Sequence, residues 1–142
     1  MILIAAGTLF ASAALADAPL LRSSALSWEE IQARPSPNRG RTLPLFQAPT
    51  ATLDELEMHV TTLPPREASH PPHQHPDEEI VIVKEGVVEA LVGGENRRLG
   101  PGSVIFQASN EPHGLKNAGD VPAVYHVIRW RSPGMLKGKE PR

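Results

Sequence analysis

Residues 73 to 86 read His73-Gln74-His75-Pro76-Asp77-Glu78-Glu79-Ile80-Val81-Ile82-Val83-Lys84-Glu85-Gly86, and this stretch decides the fold. A polar, Pro-rich loop enters a β-branched segment that stops at a Lys-Glu-Gly turn, which is how a strand reads in sequence. Side chains on an extended chain alternate, so positions 73, 75 and 79 share a parity and point to one side, although Pro76 interrupts a strictly continuous strand. Two imidazoles and a carboxylate converging on one interior form a metal-ligand set. His113 supplies a fourth ligand, because the turns at Gly86 and Gly100-Pro101-Gly102 let the chain fold back on itself. The alternative is that these histidines only decorate a polar loop and a turn.

Outward from this stretch the pattern stays one of short strands. Leu56, Met58 and Val60 alternate with Glu57, His59 and Thr61; Val87 to Val92 follows Gly86; the chain returns after Gly93-Gly94 through Arg97 to Leu99; Ser103 to Phe106 and Ala123 to Trp130 complete the set. No 3.6-residue period is sustained, so an antiparallel sandwich or barrel is predicted over residues 53–130. Residues 17–52 read as an irregular N-terminal arm. Within it Ser27-Trp28-Glu29-Glu30 has capping-box spacing for one short helix, and Pro35, Pro37, Pro44 and Pro49 block a long one. Residues 131–142 form a basic C-terminal tail.

Length and charge narrow the function classes. The chain has 142 residues, 14 Lys+Arg, 16 Asp+Glu and no Cys, a one-domain size with no disulfide or thiolate chemistry. A net charge of −2 gives no electrostatic reason to bind nucleic acid. Residues 51–128 carry 5 basic and 12 acidic side chains, and residues 129–142 carry 5 and 1, so the tail could meet an anionic surface or simply be a solvated end. Met1 to Ala16 is an apolar run closing on Ala14-Leu15-Ala16. It is expected to be a secretory signal cleaved after Ala16, giving a periplasmic or secreted protein with no membrane attachment, although no basic residue precedes the apolar run and an uncleaved anchor is the alternative.

The spacing His73-x-His75-x3-Glu79-x6-Gly86 resembles the first motif of the cupin superfamily, whose leading Gly is here Glu67. The second motif is similar to Gly102, then Ala108-Ser109-Asn110 in place of Pro-x-Gly, then His113 and Asn117. The resemblance covers roughly residues 53–130 and implies an all-β, antiparallel jelly-roll barrel. It also implies that His73, His75, Glu79 and His113 hold one divalent transition metal, whether Fe, Mn, Ni, Cu or Zn. The departures fall at turn-forming positions and bear on loop shape.

Three neutral imidazoles and one carboxylate leave a divalent ion with a net charge of about +1 and, if octahedral, two adjacent positions for oxygen ligands. Such a site suits a metal-dependent enzyme acting on a small polar or anionic substrate, as a dioxygenase or as an isomerase or lyase. A non-catalytic module binding a metal or small metabolite is the alternative, and an empty structural barrel the blandest one. No catalytic base announces itself.

Around the ligands, His59 lies on the polar parity of its strand, where it lines the barrel mouth or faces solvent. His126 on the last strand is read first as a core histidine, with a pocket acid or base as the alternative. His70 is a loop residue or an outer partner to a ligand, and Glu111 a solvated loop residue or a base near the metal. Asp77 and Glu78 are expected to form an exposed acidic turn, and Tyr125 to pack on the sheet face opposite His126. A homodimer is expected, by the resemblance and because the arm is too polar to stand alone.

Overall fold

The computed structural model describes residues 19–34, 41–133 and 135. The candidate signal at 1–16 and most of the basic tail lie outside the described residues. Among those described, no helix is long and apolar enough to cross a membrane.

The chain folds as α1 (Trp28–Gln32), β1 (Thr42–Ala48), β2 (Glu55–Leu63), β3 (Glu78–Glu85), β4 (Val88–Val92), β5 (Glu95–Leu99), β6 (Val104–Gln107), β7 (Gly114–Asn117) and β8 (Ala123–Arg131). All ladders are antiparallel. They make a five-stranded sheet in the order β1-β2-β8-β3-β6 and a three-stranded sheet in the order β5-β4-β7. The two sheets are not closed into a barrel; isolated bridges join Ala68 to Lys116 of β7 and His73 to His113.

Between the sheets lies the main core, in which Val81, Val83, Ile105, Tyr125 and Val127 of the large sheet meet Val88, Ala90 and Leu115 of the small one. Burying aliphatic side chains of this size stabilises by about 1.5–3 kcal/mol each relative to exposure. The turn after β3 depends on Gly86, whose φ is +75°. A Cβ there would meet Ala123 Cα and the Pro122 carbonyl at 2.8 Å, so no other residue fits without a shift.

Part of the arm is regular. Ser27 caps α1 as its spacing predicts, accepting from the Glu30 N–H while the Glu30 carboxylate accepts from the Ser27 N–H. β1 departs from the expectation of an irregular arm. It contains Pro44, which a central strand would reject, but β1 is the edge of its sheet and needs hydrogen bonds on one side only. Ile31 of α1 buries against Leu45 and Val60, with Leu26 and Trp28 beside it. The described arm therefore covers its own sheet, which removes the solitary-arm reason for expecting a dimer.

Residue parity on β2 puts one set of side chains under the arm and the other inside. Met58 and Val60 pack in the arm cluster, while His59, Thr61 and Leu63 line the cavity between the sheets.

Candidate metal centre

His73 and His113 are brought face to face by main-chain pairing, with His73 N–H donating to the His113 carbonyl at 3.0 Å and His113 N–H to the His73 carbonyl at 2.9 Å. The loop after β6 is fastened to the same place, because Asn110 N–H donates to the His75 carbonyl at 2.8 Å. Asn110 has a φ of +61°, the left-handed conformation that Asn tolerates better than most non-glycine residues. It occupies a position where the second motif has Gly, so this departure preserves the turn.

One ring nitrogen from each of His73, His75 and His113 lies within 4.8 Å of the other two. His75 Nδ1 is 3.0 Å from the Asp77 carbonyl and His113 Nδ1 is 2.8 Å from the Glu111 carbonyl. A carbonyl only accepts, so each Nδ1 carries a proton, and in the neutral ring Nε2 is then the nitrogen with the lone pair. His113 Nε2 is buried without a hydrogen-bond partner, and a buried unpaired acceptor is what a cation would satisfy. The three residues fit a metal ion. Glu79 stands beside them, with Oε2 3.7 Å from His75 Nε2. Burial, with His70, His113 and His75 alongside, pushes the His73 imidazole below its ordinary range and favours the neutral form that ligates. Burial pushes the Glu79 carboxyl up, against the pull of His75 and Arg129.

These groups line one side of a cavity of about 330 Å³. Of the outlying candidates, His59 and His70 line it and His126 does not. His59 Nδ1 is 2.7 Å from Glu57 Oε1, and this hydrogen bond, helped by Arg129, holds the Glu57 carboxyl below the usual carboxylate range. The His70 ring meets His73 edge-on with centroids 4.1 Å apart. His126 lies toward the arm, 6.3 Å from the Trp28 ring. Glu111 is exposed and reaches the site through its carbonyl, not its carboxylate.

The expected acidic turn is instead an ion-pair core. Asp77 is 3% exposed and holds Arg131 Nε at 2.9 Å and Arg129 Nε at 3.5 Å, and Glu78 accepts from Trp130 Nε1 at 3.1 Å. Arg129 and Arg131, counted with a solvated tail from sequence, are strand residues facing Glu57, Asp77 and Glu55. Sequence reasoning also missed Arg41, Tyr125 and Arg129 as cavity residues. The odd parity that Tyr125, Val127 and Arg129 share along β8 was the available signal. Burial pushes the Tyr125 phenol up to about 12, only partly offset by Ser69 and Thr61, so near neutral pH it is a donor. Arg41, at the cavity rim, pairs with Glu67.

Among curated proteins, the chain is 41% identical over 79 residues to dimethylsulfoniopropionate lyase DddQ of Ruegeria pomeroyi, a match covering 55% of this chain and 38% of that protein. The chain thus matches well under two thirds of the relative's length. The Cupin_2 domain of an XRE-family transcriptional regulator from Enterobacter cloacae superposes with a TM-score of 0.53 at 25% identity, over 71% of this chain and 96% of that one. A Thermus thermophilus structure superposes with a TM-score of 0.57 at 24% identity, over 76% and 98%, and speaks to fold alone. The cupin-domain family model Cupin_2 matches residues 59–129, half of the chain. With both motifs in place on paired antiparallel sheets, the chain belongs to the cupin family.

Proposed function

We propose that this chain is a metal-dependent lyase that removes a proton α to the carboxylate of a small substrate and expels a leaving group from the β carbon. The observation that carries the reading is the convergence of three imidazole nitrogens within 4.8 Å in a cavity also lined by His59, whose Nδ1 is held by Glu57. The likeness to a dimethylsulfoniopropionate lyase supports the reaction type. A divalent ion held by His73, His75, His113 and Glu79 would act as a Lewis acid toward the substrate carboxylate.

The protein's own groups supply the rest. His59 Nε2 takes the α proton, and Glu57, accepting from Nδ1, steadies the imidazolium that forms. The electron pair of the C–H bond becomes the new C=C bond as the β carbon releases its leaving group with its own bonding pair. Arg129 and Arg41, paired with Glu57 and Glu67, line the cavity and moderate its acidity toward an anionic substrate, and the Tyr125 phenol donates a hydrogen bond.

The test incubates metal-loaded protein with dimethylsulfoniopropionate and with carboxylates bearing other β leaving groups, following alkene formation by proton NMR. Turnover that falls about 10²–10⁴-fold in His59→Gln, with metal content unchanged, supports the assignment. Saturable ligand binding without chemical change would select a binding module instead, and oxygen consumption a dioxygenase.

We further propose export and self-association. The apolar run ending at Ala14-Leu15-Ala16 supports the first, tested by fractionation of a tagged full-length chain. Val104 and Phe106, exposed on the outer face of β6, support the second, tested by sedimentation of wild type against Phe106→Lys.

A further inference from the structure

Gln107 is a polar side chain spent on nothing. It ends β6 at 3% exposure, and both its amide nitrogen and its amide oxygen are buried without a hydrogen-bond partner. Leaving such a group unpaired costs about 1–3 kcal/mol, so its place among buried residues calls for a partner.

Register identifies the partner. Gln107 is directly opposite Glu79 across the β3–β6 ladder, and opposed residues of an antiparallel pair project from the same face with Cβ atoms about 4.5–5.5 Å apart. On the other side of Glu79, across the β3–β8 ladder, the opposed residue is Arg129. Arg129 is already committed, its NH2 lying 2.5 Å from Glu57 Oε2. Arg129 Nε also makes no hydrogen bond, but the guanidinium is drawn to Glu57 and, at 3.5 Å, to Asp77, whereas the Gln107 side chain engages no group at all.

We infer that Gln107 is a positioning residue, whose amide N–H holds one carboxylate oxygen of Glu79 so that the other turns toward the three histidines. The inference rests on the metal-binding reading above. A carboxylate opposite His75 is free to rotate about its terminal torsion, and a donor on the adjacent strand removes that freedom, as outer partners of metal ligands do. His75 and His113 are already oriented by backbone carbonyls; Gln107 completes the pattern for the acidic ligand.

The experiment titrates zinc into the full chain against a chromophoric chelator for wild type, Gln107→Met, Glu79→Ala and the double variant, and melts each protein without metal. Methionine matches the length of glutamine and carries no amide. Expected are a 10–100-fold loss of zinc affinity in Gln107→Met, a metal-free melting temperature equal to or above wild type, and no further loss when Gln107→Met is added to Glu79→Ala. Wild-type zinc affinity in Gln107→Met, an equal loss in both backgrounds, or a drop in metal-free melting that matches the zinc-loaded drop would each overturn the inference and leave the metal site standing. Failure of the wild-type chain to take up zinc would overturn both.

Discussion

His73 and His113 exchange two backbone hydrogen bonds, at 3.0 and 2.9 Å, and their rings stand 4.6 Å apart between centroids. The spacing of these two candidate ligands is therefore fixed by the main chain before any side-chain rotamer is chosen, and such preorganisation is what a tight site requires.

Removing one ring tests this frame. In His113→Ala the backbone pair remains, so metal-free stability should change by no more than about 1–2 kcal/mol. The rise in melting temperature on adding zinc or manganese, which follows from binding to the native state alone, should disappear. Differential scanning calorimetry with and without metal reads both. A metal-dependent shift of wild-type size in the variant would exclude His113 as a ligand.

Asn110 carries the loop that meets His75. Asn110→Val places a β-branched residue at a φ of +61° and should destabilise by about 1–3 kcal/mol, with weaker metal binding because the strained turn displaces the main-chain N–H that donates to the His75 carbonyl. Asn110→Gly should retain wild-type metal affinity. Chemical denaturation and metal titration of the two variants, side by side, decide the point.

Asn117 is fully buried. Its amide donates to the carbonyls of Leu63, Pro64 and Val121, and its oxygen accepts from Gly119 N–H. Asn117→Ala strands those partners, and a loss of about 2–4 kcal/mol is expected, seen as a lower urea midpoint at unchanged slope.

His126 gives stability a pH dependence separate from the metal centre. Burial, with Lys84 nearby, pushes its imidazole below the ordinary value. The unfolded chain then binds a proton more readily than the native one, so the contribution is fully present above the unfolded value near 6.5 and is lost as pH falls through the lower native value. Melting temperatures between pH 7 and 5 should fall more steeply for wild type than for His126→Leu; parallel curves would rule the effect out.

The strands, the capped helix and the His73–His75 pair were legible because each is a local signal, and His113 because a second motif has its own spacing from Gly102. Period-two alternation, Ser27 with Glu30, and the spacing from His73 to Gly86 need no knowledge of distant residues. What stayed hidden depends on register. Nothing near Asp77 in sequence says that Arg129 and Arg131 will lie across from it, so it reads as an exposed acid. β1 stayed hidden because Pro44 argues against a strand until its edge position is known, and Glu57 because its partner His59 shares its parity with residues that look solvent-facing.

On β2 the side chains that meet the cavity and those that rest beneath α1 occupy alternate residues of one continuous ribbon. Chemistry and cohesion are thereby assigned to separate letters of the same word. Thr61 can be rewritten to suit a different guest while His59 keeps its place beside the histidines and Met58 and Val60 go on gluing the arm down, so a laboratory seeking new selectivity has a position to vary apart from both the proton transfer and the arm contact.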